Sequence, residues 1–513
     1  MHRIVPWPPP RLYSAWRSNG PRVAVTRVAT DFETVIGLEV HVHLTTASKM
    51  FCGCSADYAG AEPNTHVCPV CLGMPGTLPV INERAIEYIV MAGLALNCEI
   101  AEFSKFDRKN YPYPDLMKGY QISQYDLPIC RNGWLDLEVD GERRRVRIQR
   151  VHMEEDTAKL IHRQDPVTGE RYSLIDVNRS GVPLVEIVSY PDIRSPAEAR
   201  AYLVKLRQLL RYVGVSRANM EEGDFRCDAN ISLRPRGSEQ LGAKVEIKNM
   251  NSFRAVFEAL SFEERRQAEL LAAGGSVVQE TRGWDDERKV TVPQRTKEEA
   301  SDYRYFPDPD LPPLRLSREW VEQIRQRLPE LPDAKRARFT SYGLSEYEAA
   351  LLSEERARAD YFERLMAALE GEPARRAKVA ANWMLGEVAR WLNEREAEME
   401  AFPVPPERLA ELAMLVERGA ITGQVAKRVF EEMAATGEAA DAIVERAGLA
   451  QISAADELRG LVRKVIEANP KAVADYRAGK EAAVKFLIGQ VMRETRGRAN
   501  PQLVHELLTE ELQ

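Results

Sequence analysis

The sequence predicts an α+β protein: a mainly antiparallel sheet backed by a few helices, followed by all-helical domains. Three observations carry that prediction. Alternating runs rich in β-branched residues crowd the segment from about Thr34 to Pro313. Few helical patterns separate them, so most neighbouring strands should pair without crossovers. Beyond Pro313 the alternation gives way to apolar repeats at helical spacing. At 513 residues the chain exceeds what one core usually serves, and two or three domains are expected.

Residues 1–30 hold five arginines and no Asp or Glu, a bias found in transit peptides. Pro6, Pro8, Pro9 and Pro10 break any amphipathic helix there, so a disordered extension is expected and set apart from the fold. The first strand is Val35 to Leu44. Similar alternation marks Arg143–Val151, Leu174–Val177, Leu184–Val188, Asn230–Leu233 and Ala243–Ile247. Ser195, Pro196 and Glu198 signal a helix start, Leu203, Leu206, Leu209, Leu210 and Val213 repeat at helical spacing, and Gly214 stops the run. A second helix is expected over Phe253–Ala272. Pro312-Pro313 and Pro329 to Pro332 read as linkers. Helices are then expected over Glu346–Leu369 (with Ser345 and Glu348 as a capping box), Ala377–Glu394, Glu407–Glu417, Gly423–Ala435, Ala439–Ala447, Ala454–Ala468 and Lys480–Thr495. The expected domains are thus 31–313, 314–402 and 407–513.

Hydrophobic residues make up 44% and the net charge is -7, an ordinary balance that excludes a uniformly basic nucleic-acid binder but not a local basic patch. No run approaches the ~20 apolar residues of a membrane span. Four of seven cysteines cluster as Cys52-x-Cys54 and Cys68-x-x-Cys71, separated by 13 residues. Two close thiol pairs can close a tetrahedral structural zinc site, with His66 as a further candidate ligand. Cys98, Cys130 and Cys227 read as core residues.

Glu39 and His41, two apart on a strand, share one sheet face. His152-Met153-Glu154-Glu155-Asp156 puts three acids at a strand end. Hard carboxylates with one imidazole suit a Mg²⁺ ion that also holds phosphates. A histidine beside an acid is ordinarily a satisfied core pair, and spacing does not show that residues 39 and 154 meet. Neither G-x-x-x-x-G-K-[ST] nor G-x-G-x-x-G occurs, so any ATP must be held without a P-loop. Polar, aromatic segments at 106–115, 119–125, 176–181 and 302–307 look built around a cleft. Residues 459–498 hold ten Lys or Arg against four Asp or Glu, a local charge of +6. Lys480, Lys485, Arg493, Arg496 and Arg498 lie on or just after one predicted helix, a patch suited to an RNA backbone.

Several of these segments carry a resemblance. Ile36-Gly37-Leu38-Glu39-Val40-His41, Tyr113-Pro114-Asp115-Leu116, Gln121-Ile122-Ser123-Gln124, Asn178-Arg179-Ser180-Gly181-Val182-Pro183-Leu184, Arg226-Cys227-Asp228-Ala229-Asn230, Glu246-Ile247-Lys248-Asn249, Gln279 to Trp284 and Asp302 to Pro307 resemble the B subunits of glutamyl/aspartyl-tRNA amidotransferases. Asn469-Pro470 through Val491 resembles that family's C-terminal module. The resemblance implies a cradle similar to glutamine synthetase and guanido kinases. It implies transfer of the γ-phosphoryl of ATP to the side-chain carboxylate of glutamyl- or aspartyl-tRNA. In the implied heterotrimer, the A-type amidase partner would deliver ammonia and a small C-type partner would wrap the pair. The helical and tail domains would hold mischarged tRNA. Cofactors would be ATP, Mg²⁺ and structural Zn²⁺.

By position Glu39, His41 and Glu154 match the family's metal site, with Glu155 adjacent. Asn178, Arg179, Asp228 and Lys248 fall within motifs around the cleft. Lys109, Asp115, Arg282 and Tyr303 are candidates for channel or tRNA-end contacts. The N-terminal extension precedes the family's usual start, leaving a bacterial cytoplasm or, if residues 1–30 are a transit peptide, a mitochondrion. The cysteine quartet occurs in only part of the family, so zinc rests on spacing. Two rival readings remain: a non-catalytic zinc-containing tRNA-binding scaffold, and a ligase for a small carboxylate. The first leaves the acids idle and the second leaves the basic tail unused. A self-sufficient amidase is disfavoured, because the sequence shows no Ser-rich amidase signature.

Overall fold

The computed structural model describes residues 32–296, 302–452, 455–477, 480 and 482–512. The expected extension at 1–30 lies outside these. The chain forms two compact units, divided at Leu331/Pro332.

The first unit is built on β1 (Phe32–His43), whose Ile36, Leu38, Val40 and Val42 are buried on one face while Glu39, His41 and His43 leave the other. Along the chain follow α1 (Glu83–Ala95), β2 (Glu99–Ile100), β3 (Phe103–Ser104), β4 (Asp107–Asn110), β5 (Tyr120–Ser123), β6 (Cys130–Val139), β7 (Glu142–Glu155), β8 (Lys159–Gln164), β9 (Arg171–Asp176) and β10 (Pro183–Ser189). Then come α2 (Pro196–Tyr212), β11 (Phe225–Pro235), β12 (Val245–Met250), α3 (Phe253–Ala272), β13 (Glu280–Asp285), β14 (Val290–Thr296), β15 (Phe306–Pro307), β16 (Leu314–Arg315) and α4 (Arg318–Arg327).

Nine strands form one sheet in the order β14-β13-β12-β11-β1-β10-β7-β6-β2. The pairs are antiparallel except β12 with β13, which α3 joins as a crossover. A parallel pair needs such a connection, whereas the others can turn back directly. Capping fixes where the helices start. Asn82, Ser195 and Ser252 each accept backbone N–H groups at the first turns of α1, α2 and α3. Tyr202, Leu203, Leu206 and Leu210 of α2 and Val256, Ala259 and Leu260 of α3 then join the apolar face of the sheet in one core. That core also takes in Leu316 and Ile324, which carries the unit past the expected boundary at Pro313. Strands do not cease there either, since β16 pairs with β3.

The helices leave the other face of the sheet polar. Part of it is covered by the small sheet β15-β4-β5, and β8 with β9 makes a separate hairpin.

The second unit is helical: α5 (Pro332–Ser341), α6 (Glu346–Leu352), α7 (Arg356–Ala368), α8 (Pro373–Trp383), α9 (Ala389–Arg395), α10 (Pro406–Glu417), α11 (Gly423–Thr436), α12 (Ala440–Arg446), α13 (Ala455–Ala468), α14 (Pro470–Arg477), α15 (Ala482–Glu494) and α16 (Pro501–Leu512). The helix expected over Glu346–Leu369 is two helices. Its first part ends at Ser353, whose hydroxyl donates back to the Ala349 carbonyl at 2.7 Å. The one expected over Ala377–Glu394 is interrupted by a π-helical turn at Met384–Val388. Leu458, Val462, Leu487, Val491, Val504 and Leu508 make the core of the C-terminal helices.

Candidate functional site

The polar face gathers its chemistry through strand register. His41 on β1 lies directly opposite Glu186 on β10, and Glu186 lies opposite His152 on β7. Side chains opposite one another share a face, so the three form a row, and Glu154 follows two residues on. His41 Nε2 lies 3.4 Å from Glu186 Oε2, His152 Nε2 lies 3.3 Å from the same oxygen, and His152 Nε2 is 3.6 Å from Glu154 Oε1. β4 and β5 close over the row: Ser123 Oγ donates to Glu154 Oε1 at 2.7 Å, Gln121 Nε2 to Oε2 at 3.1 Å, and Lys109 Nζ stands 3.6 Å from Oε1.

Burial alone would push the Glu154 carboxyl up, but Lys109 and His152 outweigh it and hold it down at about 2. Burial would likewise lower His152, yet Glu186 and Glu154 raise it to about 9. Burial raises Glu186 as well, and His152 and His41 reverse that to leave it well below the usual range.

One donor atom each from His41, Glu154 and Glu186 lie within 4.8 Å of one another. Two carboxylates and an imidazole this close fit a hard divalent cation. Glu39, expected as the third ligand, stands one step further along the same face. It accepts from Asn230 Nδ2 at 2.9 Å, and burial together with Glu186 and Glu246 raises its pKa. Beside it Lys248 is spent on Asp228 at 2.5 Å and Glu246 at 3.2 Å.

A second network continues the face toward the end of β1. His43 Nε2 meets Asp156 Oδ2 at 2.6 Å, and its Nδ1 faces Asp224 Oδ1 at 3.4 Å. Asp156, fully buried, also accepts from Arg226 Nη2 at 2.7 Å and has Arg179 at 3.5 Å.

The four sulfurs of Cys52, Cys54, Cys68 and Cys71 also lie within 4.8 Å of one another. The Cys52 thiol hydrogen-bonds Cys71 and brings it down to about 4, while burial pushes Cys54 up to about 11. Thiols this bunched resist joint ionisation until a cation neutralises them, so the set fits tetrahedral zinc. His66 is not in the group. Its backbone N–H is instead held by Asn178 Oδ1 at 2.8 Å, and Asn178 Nδ2 donates to the Glu62 carbonyl at 2.8 Å. Asn64 exchanges further bonds with Asp176 and Val177. The cysteine loop is thereby stitched to the turn that launches β10, where Gly181 takes φ +84°. Cys98, Cys130 and Cys227 are buried, and burial pushes Cys98 up to about 12, as expected of inert core thiols.

Other expected residues are placed elsewhere. Glu155 points away from the row, accepting from Lys118 Nζ at 2.5 Å and the Ile122 N–H at 2.9 Å. Arg179 donates to the carbonyls of Thr157 and Ala158. Arg282 lies on the helix-covered side, bonded to Thr291 and Glu280. Asp115 has a buried Oδ1 with no partner. The Tyr303 ring lies 5.2 Å from Lys109 Nζ. In the second unit Lys485, Arg493 and Arg496 are exposed, Lys480 pairs with Asp475 at 2.9 Å, and Arg498 donates to the Gly448 carbonyl at 3.1 Å.

Sequence reasoning assigned no role to Glu186 or His152, and took Gln121 and Ser123 only as part of a cleft-lining segment. The one signal for Glu186 was an acid inside an otherwise apolar strand, Leu184 to Val188.

A model of the GatB/GatE catalytic domain matches residues 34–322, and a model of the GatB domain matches residues 360–512. Among similar curated proteins, the B subunit of the aspartyl/glutamyl-tRNA(Asn/Gln) amidotransferase of Dehalococcoides mccartyi strain CBDB1 is 57% identical over 490 residues, covering 94% of this chain and 99% of the relative. That of Thermomicrobium roseum is 58% identical over 484 residues, with 94% and 99% covered. That of Moorella thermoacetica is 55% identical over 483 residues, with 94% and 100% covered.

Proposed function

Because the chain belongs to the GatB/GatE family, we propose that it is the component of a tRNA-dependent amidotransferase that activates the carboxylate to be amidated. A carboxylate cannot expel oxide, so an amine does not convert it directly. Transfer of a phosphoryl group supplies a better leaving group. A carboxylate oxygen of glutamyl- or aspartyl-tRNA attacks the γ-phosphorus of ATP, the bond to the ADP oxygen breaks, and an acyl phosphate forms. Ammonia then attacks the acyl carbon, the carbon–oxygen bond to phosphate breaks, and the amide forms with loss of a proton. Ammonia would come from a glutamine-hydrolysing amidase partner of the A type, with the small C-type partner completing the complex.

The observation that carries this reading is the row of half-buried His41 with buried Glu186, His152 and Glu154 on the polar sheet face. A Mg²⁺ ion held by His41, Glu154 and Glu186 would neutralise charge as two anions approach. Lys109 and His152 keep the Glu154 carboxylate ionised while Ser123 and Gln121 fix it, so no reorganisation is needed when substrate arrives. Tyr303 and Tyr305 wall the site beside Lys109. Zinc on the four cysteines would hold the loop that Asn178 clamps. Exposed Lys485, Arg493 and Arg496 would meet tRNA phosphates.

The test is ATP turnover by the assembled complex with the side-chain carboxylate of glutamyl-tRNA labelled with heavy oxygen. Stimulation by the mischarged tRNA, with label appearing in released phosphate, is the expected result. Label absent from phosphate in a tRNA-binding complex would leave a scaffold that holds tRNA while the chemistry happens elsewhere.

A further inference from the structure

Lysine is almost never fully buried unless an opposite charge stands beside it. Among the described residues two lysines are buried, Lys49 and Lys335. Lys335 follows the rule, paired with Glu363 and with Asp360 at 3.1 Å. Lys49 does not. It is 0% exposed, and its Nζ donates to two carbonyls instead, that of His66 at 2.8 Å and that of Val177 at 3.3 Å. The Glu155 carboxylate borders the same glycine, Gly181, as the Lys49 side chain, but it is taken by Lys118 at 2.5 Å. A buried ammonium held only by neutral groups is costly until an anion joins it.

The position of Lys49 says which anion that is. Its backbone N–H donates to the Cys54 carbonyl at 2.9 Å, and its Nζ holds the carbonyl of His66, two residues before Cys68. One residue thus bridges both cysteine arms. The hydrogen bond from Cys52 is first among the influences that draw the Cys71 thiol down, and the Lys49 charge pulls the same way. Lys118 also lines the cavity beside Cys52 and Cys71, but Glu155 cancels it.

The chemistry of the quartet then decides between its possible states. Four thiols carry no charge, and neither do two disulfides. Four thiolates on one divalent ion carry two net negative charges. Only that last state gives Lys49 an opposite charge.

We propose that Lys49 is the built-in counter-charge of a four-thiolate zinc centre at Cys52, Cys54, Cys68 and Cys71. As zinc binds, four S–H bonds break, the protons pass to solvent, and four sulfur–zinc bonds form. Of the two net negative charges that result, Lys49 offsets one. Lys49 is no ligand. It is a positioning residue that acts through the thiolates and, by its bond to Val177, ties the charged centre to the turn that launches β10. The inference rests on the reading of the quartet as a zinc site.

The experiment uses the full chain in its assembled complex. Zinc content is measured by elemental analysis, and zinc affinity by competition with a chromophoric chelator. Wild type should hold one zinc per chain. Lys49→Met keeps the length of the side chain and removes its charge, so Kd for zinc should rise by about tenfold to a hundredfold. A second readout separates charge from mere support of the loop. With cobalt in place of zinc, loss of a cation beside Cys71 raises the energy of the sulfur electrons, and the sulfur-to-cobalt charge-transfer band should move to lower energy. Asn178→Ala loosens the same loop without a change of charge and should leave that band in place.

A folded Lys49→Met complex whose zinc Kd stays within about threefold of wild type would overturn the proposal. So would an unmoved cobalt band, which would reduce Lys49 to a strut. Should the methionine variant fail to fold, Lys49→Gln, which is neutral but still a donor, reads the same two quantities. A wild-type chain that holds no zinc and pairs these cysteines as disulfides would overturn the zinc reading together with the role of Lys49. Zinc bound equally well by wild type and variant would overturn the role of Lys49 alone.

Discussion

The polar face of the sheet and the exposed face of α15 both concentrate charge, yet they hold it in opposite ways. On the sheet, Glu154, Glu186, His152 and Asp156 are buried, and each is balanced by an opposite charge within 3.6 Å. Removing one partner there strands the other in a medium that solvates it poorly. On α15, Lys485 and Arg493 stand in water, where salt screens them and a substitution strands nothing. The first region is therefore brittle and exacting, suited to chemistry. The second is tolerant and additive, suited to gripping a polyanion.

The largest expected effect tests the brittle side. Glu154→Ala or Glu186→Gln should cut tRNA-stimulated ATP turnover by about a hundredfold or more while tRNA affinity stays nearly intact. Parallel loss of both, measured by steady-state turnover and filter binding, would break the contrast. Next is the clamp between the cysteine loop and the β10 turn. Asn178→Ala removes two part-buried hydrogen bonds to the backbone of the cysteine loop and should cost about 1–3 kcal/mol in thermal or denaturant unfolding.

A third effect is one of pH. His152 is raised in the fold from 6.5 to about 9, so its contribution is complete below 6.5 and disappears as pH rises through about 9. Unfolding of the metal-free protein should thus show falling stability across that window, and His152→Asn should flatten it. The smallest effect belongs to the tolerant side. Replacing Lys480, Lys485 and Arg493 together should weaken tRNA binding and lessen its salt slope by about one for each phosphate interaction removed. Because Lys480 is paired with Asp475, it should contribute least. An unchanged slope would remove this helix from the binding surface.

How far each region could be read in the sequence follows the same division. Helix starts at Ser195 and Ser345 and the alternation of β1 are local signals, carried by neighbours a few residues apart. The cysteine pairs are likewise local, and their four sulfurs do come together. The partner of His41 was not local. Glu186 sits 145 residues away in the chain, and only the pairing of β1 with β10 puts it opposite His41. The pairing of β1 with β11 likewise puts Arg226 opposite His41, whereas Glu155 faces away to Lys118 simply because neighbours on β7 alternate.

By itself, then, the sequence determined the α+β class, the family, the faces of the strands and the thiol cluster, because propensity, periodicity and motif spacing act within a few residues. Tertiary structure alone decided which faces meet and in what register. A strand's side chains alternate with period two, so a single step of register would exchange His41 for Val40 on the site face. What selects among those registers is the burial of Ile36, Leu38, Val40 and Val42 beneath the helices, a choice made by the whole core at once.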